Sequence, residues 1–172
     1  MDALKVILTR RSVRKFTPQS VPEDVINNIL NAAMSAPSAA NEQPWQFLVI
    51  NNRKLLDSIV MAHPHALMCQ QAPAAILVCI DTSKEKYREF WVQDLSAATQ
   101  NILLAIRTLG LGGVWLGIYP TKERVQAIKS LFELPESVIP FSLVPFGYTD
   151  AAQQEVRERF KKERIHMNKW GE

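Results

Sequence analysis

A long, strongly apolar pattern occupies residues 87–110 of this 172-residue chain. Within it, apolar residues recur at the three- and four-residue spacing of one helical face: Trp91, Leu95, Ala98, Ile102, Ile106 and Leu109. Leu103 and Leu104 widen that face, so the helix needs cover on more than one side. We therefore predict a central buried helix around which the rest of the chain packs.

The composition of the chain limits the number of domains, the kinds of partner and the role of the cysteines. With 47% hydrophobic content, the chain can build one core but not two comfortable ones, so we predict a single domain over residues 1–172. The formal charge of only +3 argues against general nucleic-acid binding. Cys69 and Cys79 are too few for a disulfide framework and are predicted to be small core residues.

The hydropathy of the chain indicates whether the protein crosses a membrane or is secreted. No apolar run approaches the roughly 20 residues needed to span a bilayer, and the amino terminus lacks the features of a signal peptide. We therefore expect a soluble, cytoplasmic protein.

Shorter patterns predict the elements around the long helix. The predicted helices are a short one capped by Asp2, one over about 22–35 behind a capping box of Ser20 and Glu23, one over 53–62, and one that starts at Thr121. The predicted strands cover 45–51, 74–81, 110–119 and 139–146. The charged tail after Gly147 is predicted to form either a surface helix or an arm that lies on another molecule.

The stretch RRSVRKF, residues 10–16, places four cations within six residues at the exit of the first helix. Arginines at a helix carboxyl end interact favourably with the helix dipole, which explains Arg10 or Arg11. The dipole explains Arg14 and Ser12 less well, because clustered cations repel one another unless an anion lies among them. Guanidinium groups and a serine hydroxyl bind phosphate through hydrogen bonds, so an anion site and a solvated face both stay open.

Two other stretches could contribute to a binding site. In SAPSAANEQPW, residues 35–45, small side chains would let the backbone approach a planar ring, while Asn41 and Gln43 could bind its polar edge. The alternative is a plain connection from helix to strand. GGVWLG, residues 112–117, is by itself best interpreted as a glycine-ended helix that leads into a buried strand.

Familiar nucleophile, phosphate-loop and metal motifs are missing from the sequence. His63 and His65, with Cys69, could offer metal ligands, but a polar surface turn is the favoured interpretation. Asp94 could be catalytic, yet we favour a residue in the solvated first turns of the long helix or hydrogen-bonded to a neighbour.

Taken together and in this order, RRSVRKF, SAPSAANEQPW, the long helix that ends in GLGGVWLG, and RFKKERIHMNKW closely resemble the small members of the nitroreductase family of flavoenzymes. The resemblance covers essentially the whole chain. It implies an α+β protein with a mostly antiparallel central sheet covered by helices. It also implies an intertwined homodimer with one FMN in each of two clefts at the subunit interface, and an arm over residues 150–172 that contacts the partner subunit.

The resemblance also assigns cofactor-binding residues. It implies that Arg10, Arg11, Ser12 and Arg14 hold the phosphate, ribityl chain and pyrimidine edge of FMN. It implies that a loop of the partner subunit lines the ring with Pro37, Ser38, Ala39, Asn41 and, less clearly, Gln43. Trp115, Leu116 and Gly117 would run past the ring mainly with their backbone, and Arg159, or alternatively Arg164, would complete the phosphate site.

The implied activity needs no catalytic side chain and no metal, because FMN supplies the redox chemistry. NADH or NADPH would reduce the flavin, and an electron-poor acceptor such as a nitroaromatic or a quinone would reoxidise it in a ping-pong cycle. Arg14 is expected to stabilise the anionic reduced flavin. Rival interpretations are a flavin-sequestering dimer with little turnover, a specialised reaction such as reductive dehalogenation or oxygen-dependent flavin breakdown, and, last, a nucleic-acid module.

Overall fold

A computed structural model of the chain describes residues 2–150 and 156–171. Its centre is the strand Ala74–Asp81 (β2), which pairs antiparallel with Trp45–Ile50 (β1) on one side and with Val138–Gly147 (β5) on the other. All residues of β2 except the last are buried. The continuous apolar sequence of β2 follows from this position, because both faces of a central strand are covered.

Helices cover both faces of the sheet. In chain order they are Ala3–Thr9 (α1), Glu23–Met34 (α2), Arg53–Ala62 (α3), Trp91–Thr108 (α4) and Lys122–Leu131 (α5). Because side chains alternate along a strand, Ile76 joins one core with α2 and α4 while Leu77 joins the other with α3 and α5. In the described part of the chain, no helix is both long enough and apolar enough to cross a membrane.

Most predicted elements are confirmed. The Asp2 side chain accepts a hydrogen bond from the Lys5 amide at 3.3 Å and caps α1, and α3 has the predicted bounds. The α4 helix is buried along its centre as predicted, but it is shorter than the pattern at both ends. Cys69 and Cys79 are confirmed as core residues, and burial raises the pKa of each thiol to about 12.

Two local predictions are wrong. The capping box fails because Pro22, which has no side-chain hydrogen-bonding group, occupies the N-cap of α2, so Ser20 lies too far from the helix start. The strand predicted over 110–119 forms only two short pieces, Gly112–Gly113 (β3) and Leu116–Gly117 (β4), which both pair with β5. Between them the Val114 amide donates to the Pro145 carbonyl at 3.3 Å, and Pro145 has no N–H with which to return the bond.

The described part of the carboxyl-terminal tail, residues 156–171, contains one short 3-10 turn, Lys162–Arg164. The surface helix considered from the sequence is therefore not formed in these residues, while residues 151–155 lie outside the described ones. Several large apolar side chains of this segment are exposed to solvent: Val156, Phe160, Ile165, Met167 and Trp170.

Candidate functional site

Cationic side chains from both ends of the chain meet at one cavity of about 350 Å³. The residues that line it, which we name the arginine cavity, are Arg10, Arg11, Ser12, Arg14, Arg157 and Arg159. Partial burial, followed by the positive charges of Arg157, Arg159, Arg10 and Arg107, lowers the pKa of Arg11. Such mutual repulsion is relieved when an anion binds among the guanidinium groups, which suits the cavity to a phosphate.

The end of α1 positions Arg11. Arg11 donates through Nη1 to the carbonyls of Leu8 at 2.9 Å and Arg10 at 2.8 Å, so the helix-end interpretation is confirmed for Arg11. Beyond it, the Val13 amide donates to the Gly113 carbonyl at 3.0 Å, which attaches the cationic segment to the edge of the sheet.

Gly112 allows this close attachment. A Cβ at residue 112 would lie 2.7 Å from Cγ1 of Val13, closer than real Cβ atoms approach. The glycine is therefore required for packing within this chain. Ser12, which lines the arginine cavity, forms a parallel bridge with Gly113, so the cavity lies next to β3.

Gly117 is a glycine of a different kind. A Cβ built on it would meet no atom within 4 Å, and its φ lies outside the left-handed region that favours glycine. Neither packing nor backbone conformation within the chain therefore requires a glycine there. The neighbouring Leu116 side chain is buried and Trp115 packs edge-on against Phe141, with ring centroids 5.8 Å apart, so β4 offers mainly its backbone and open space.

The loop of residues 38–43 has an unusual backbone. Ala40, Asn41 and Gln43 have φ values of 47°, 55° and 53°. Each such residue costs about 1–3 kcal/mol and persists only where its surroundings hold it. Here Ser38 Oγ accepts a hydrogen bond from the Gln43 amide at 2.9 Å, and the Gln43 side chain donates to the Asn41 side chain at 2.9 Å. The strained loop is thus held in one shape, as is common at binding sites.

Asp94 fastens this loop to α4. Its Oδ1 accepts a hydrogen bond from the Ala39 amide at 3.0 Å, whereas Oδ2 makes no hydrogen bond within residues 2–150 and 156–171. Burial, and to a smaller degree the negative charge of Glu42, raises the pKa of Asp94, while the Ala39 amide acts in the opposite direction. The prediction of a first-turn residue hydrogen-bonded to a neighbour is confirmed, but Asp94 is buried rather than solvated.

Two groups of predicted flavin-binding residues, those of the 38–43 loop and those of the arginine cavity, lie far apart in one chain. The loop meets α4 at Asp94, near its amino end, whereas Arg107, near the carboxyl end, donates to Thr9 Oγ1 at 3.3 Å beside the arginine cavity. At about 1.5 Å per residue, these two points on the helix lie about 20 Å apart. Pro37, Ser38, Ala39, Asn41 and Gln43 are therefore not brought to the arginine cavity of their own chain.

The sequence did not lead us to predict Arg157 as a residue of the arginine cavity, and it left the choice between Arg159 and Arg164 undecided. Arg157 lines the cavity beside Arg159, while Arg164 lies in the 3-10 turn and does not line it. A signal existed in VRERF, residues 156–160, because side chains two residues apart on an extended chain point to the same side.

The prediction of a polar surface turn at His63 is wrong. Only 2% of His63 is exposed, and its Nε2 lies 3.0 Å from the Gly117 carbonyl. His65 is exposed. Among the described residues, no three His, Cys, Asp or Glu side chains form a group that could hold a metal ion.

Comparison with known proteins identifies the family. The model of the family described as "Nitroreductase family" matches residues 7–74 and 60–148. The chain belongs to the nitroreductase family. A relative from Methanothermobacter thermautotrophicus, named "Putative NADH dehydrogenase/NAD(P)H nitroreductase", is 52% identical over 99% of this chain and 88% of its own length.

Solved structures of similar proteins agree in fold. A "Putative NADH Oxidase" from Clostridium acetobutylicum has a TM-score of 0.93 and 39% identity, over 96% of this chain and 99% of that chain. A "putative nitroreductase in complex with fmn" from Desulfovibrio desulfuricans has a TM-score of 0.82 and 29% identity, over 96% of this chain and 95% of that chain. The predicted α+β nitroreductase fold with an antiparallel sheet is thereby confirmed.

Proposed function

We propose that this nitroreductase-family protein is an FMN-dependent oxidoreductase, active as a homodimer, that passes electrons from NADH or NADPH to an electron-poor acceptor. The observation that carries the proposal is the arginine cavity, whose lining residue Ser12 bridges to Gly113 of β3. In this proposal the cations hold the phosphate of FMN, and the backbone of β4, with open space at Gly117, lies along the ring. The names of the similar proteins, which include NAD(P)H nitroreductase and an FMN complex, support this choice of cofactor and donor.

Within this proposal the chain's own residues bind and orient. Arg10, Arg11, Ser12 and Arg159 hold the phosphate, with Arg157 as an addition, and Arg14 places a positive charge toward the pyrimidine edge. Bound FMN would supply the redox chemistry, taking hydride from NADH or NADPH and delivering electrons to an acceptor such as a nitroaromatic or a quinone. A fixed cation near the ring favours the added negative charge of the reduced state.

A second copy of the chain is needed to complete this site. The loop of residues 38–43 lies about 20 Å along α4 from the arginine cavity, which supports our proposal that the loop contacting the ring belongs to the partner subunit. Exposed apolar side chains on α1 and on the carboxyl-terminal arm offer surface for that contact. They are Leu4, Ile7, Leu8, Val156, Phe160, Ile165, Met167 and Trp170.

The accessible surface agrees with such an interface. The chain exposes 10533 Å², whereas a compact monomer of 19.5 kDa exposes about 8,500 Å². The excess of about 2,000 Å² is larger than the roughly 800 Å² that each partner buries in a standard protein interface.

We place the reaction in the cytoplasm, where free thiols such as Cys69 and Cys79 stay reduced.

The proposal is tested by reconstitution. Purified protein, stripped of any bound ligand and incubated with FMN, is expected to retain a flavin spectrum through gel filtration and to melt at a higher temperature. Light scattering of the loaded protein is expected to give the mass of two chains. A colourless protein whose melting does not respond to FMN would refute the flavin site, and a monomeric mass with FMN bound would refute the site shared by two chains.

A further inference from the structure

The backbone carbonyl of Gly117 accepts hydrogen bonds from two side chains. His63, directly after α3, reaches it with Nε2 at 3.0 Å, and Arg124 on α5 reaches it with Nη1 at 3.0 Å. One donor directly follows α3 and the other lies on α5, and the two meet at the same atom of the edge strand β4. Because one of them is charged, the pair restrains the carbonyl more strongly than a single neutral hydrogen bond would.

The ring of His63 is held in one tautomer. Its Nδ1 accepts a hydrogen bond from the His65 amide at 3.2 Å, so the proton of the neutral ring lies on Nε2 and is donated to Gly117. Burial first, and then the charges of Arg124 and His65, lower the pKa of His63, although the bond to Gly117 acts in the opposite direction. The neutral, donating state is therefore the one kept at physiological pH.

The register of the sheet shows where the rest of Gly117 points. Gly117 lies opposite Ser142, and the next amide, that of Ile118, donates to the Phe141 carbonyl at 3.1 Å. This is the pattern of a non-hydrogen-bonded antiparallel pair, in which the N–H and C=O of Gly117 both point away from β5. The Gly117 carbonyl accepts hydrogen bonds from His63 and Arg124, and the Gly117 N–H points to the same side, away from β5.

A glycine at this edge needs external restraint. It has no side chain to anchor it, and a glycine backbone samples more conformations than any other residue. The space beside its Cα is open, so packing from within the chain does not hold it either. Two side-chain donors on its carbonyl supply the restraint that packing does not.

We propose that His63 and Arg124 are positioning residues of the flavin site, which hold the Gly117 carbonyl so that β4 keeps its backbone in place for the ring. This inference rests on the proposed function. In this role neither residue touches the cofactor, because His63 and Arg124 both act through the Gly117 carbonyl.

Leucine variants test the pair. His63→Leu and Arg124→Leu should each raise the FMN dissociation constant about threefold to tenfold, because each variant leaves the Gly117 carbonyl with one side-chain donor in place of two. The double variant should lose more than the product of the two single effects, because each single variant leaves the carbonyl one donor. The midpoint potential of bound FMN should shift in the double variant.

A conservative variant and two controls separate positioning from general damage. His63→Gln keeps an N–H donor near the position of Nε2 and should retain wild-type FMN affinity even if His63→Leu folds poorly. His65→Ala keeps the backbone amide that binds Nδ1 and should leave affinity unchanged. Lys129→Leu, on the same helix as Arg124, removes a cation that donates to the Glu136 carbonyl at 2.8 Å and should also have no effect.

The outcomes distinguish this inference from the function on which it rests. Wild-type protein that does not bind FMN would overturn the proposed function, and with it the role of the pair. Wild-type protein that binds FMN, together with a double variant of unchanged affinity and potential, would overturn the positioning role alone. In the protein without FMN, histidine ¹⁵N NMR should show His63 protonated at Nε2, and protonation at Nδ1 would contradict the geometry.

Discussion

The Asp94 carboxylate and the Ala39 amide are joined by a 3.0 Å hydrogen bond that connects α4 to the strained loop. An asparagine at position 94 would keep an oxygen for this bond but would not bury a charge. Because the pKa of Asp94 is raised in the folded protein, the fold binds its proton more tightly than the unfolded chain does. Its stability contribution is therefore present in acid and is lost as the pH rises through the folded pKa.

We accordingly expect Asp94→Asn to melt at or above the wild-type temperature at pH 7.5, with the difference shrinking as the pH falls toward the ordinary carboxyl range. Thermal melts of both proteins between pH 5 and pH 8 measure this. If Asp94→Asn melts lower than wild type at pH 7.5, the ionised carboxylate contributes net stability and our interpretation of its burial is wrong.

The two glycines of the edge strands should respond differently to alanine. Gly112→Ala should lower the stability of the FMN-free protein by about 1–3 kcal/mol, because the new Cβ overlaps Val13. Gly117→Ala should change that stability by less than about 0.5 kcal/mol, since its Cβ meets no neighbour, yet weaken FMN binding about tenfold. Denaturant unfolding and FMN fluorescence titration measure the two effects, and equal FMN affinity in wild type and Gly117→Ala would place the ring elsewhere.

Arg159 and Arg164 form a matched pair in the carboxyl-terminal arm. Each change to alanine removes one positive charge, but only Arg159 lines the arginine cavity. Loss of a charge-assisted hydrogen bond to phosphate should raise the FMN dissociation constant about 10- to 100-fold in Arg159→Ala, against less than about twofold in Arg164→Ala. Titrations at one fixed salt concentration compare them, and a larger effect from Arg164 would reverse the assignment.

Arg10 and Arg14 should separate binding from redox tuning. Arg10→Ala is expected to weaken FMN retention mainly through the phosphate, whereas Arg14→Ala should also lower the midpoint potential, because it removes a cation that favours the reduced flavin. Dissociation constants and spectroelectrochemical potentials of the two variants test this division. Identical FMN affinity and midpoint potential in the two variants would contradict this division and favour the interpretation of Arg10 and Arg14 as solvated residues at a helix end.

Local sequence patterns predicted those parts of the fold that depend on neighbours along the chain. The apolar runs of α4 and β2 are examples, because burial on every side leaves a periodic or continuous record. The break between β3 and β4 was not predictable in the same way, since it depends on Pro145 in a strand that pairs only after folding.

The same division applies to the candidate site. The cations of RRSVRKF were visible as a local cluster, but Arg157 joins them only because the end of the chain returns to its beginning. The environment of His63 could not be inferred either, because its partner Gly117 is distant in sequence and the HPH stretch looks polar by itself. Contacts of this kind are set by tertiary packing rather than by local pattern.

An anaerobic titration tests the central proposal most directly. FMN-loaded protein is mixed with NADH or NADPH, and the flavin absorbance is followed before and after a nitroaromatic or a quinone is added. Our account predicts that the flavin bleaches with the reduced nicotinamide and that its colour returns with the acceptor. Bound flavin that neither NADH nor NADPH bleaches would contradict the enzyme and leave a flavin-sequestering protein.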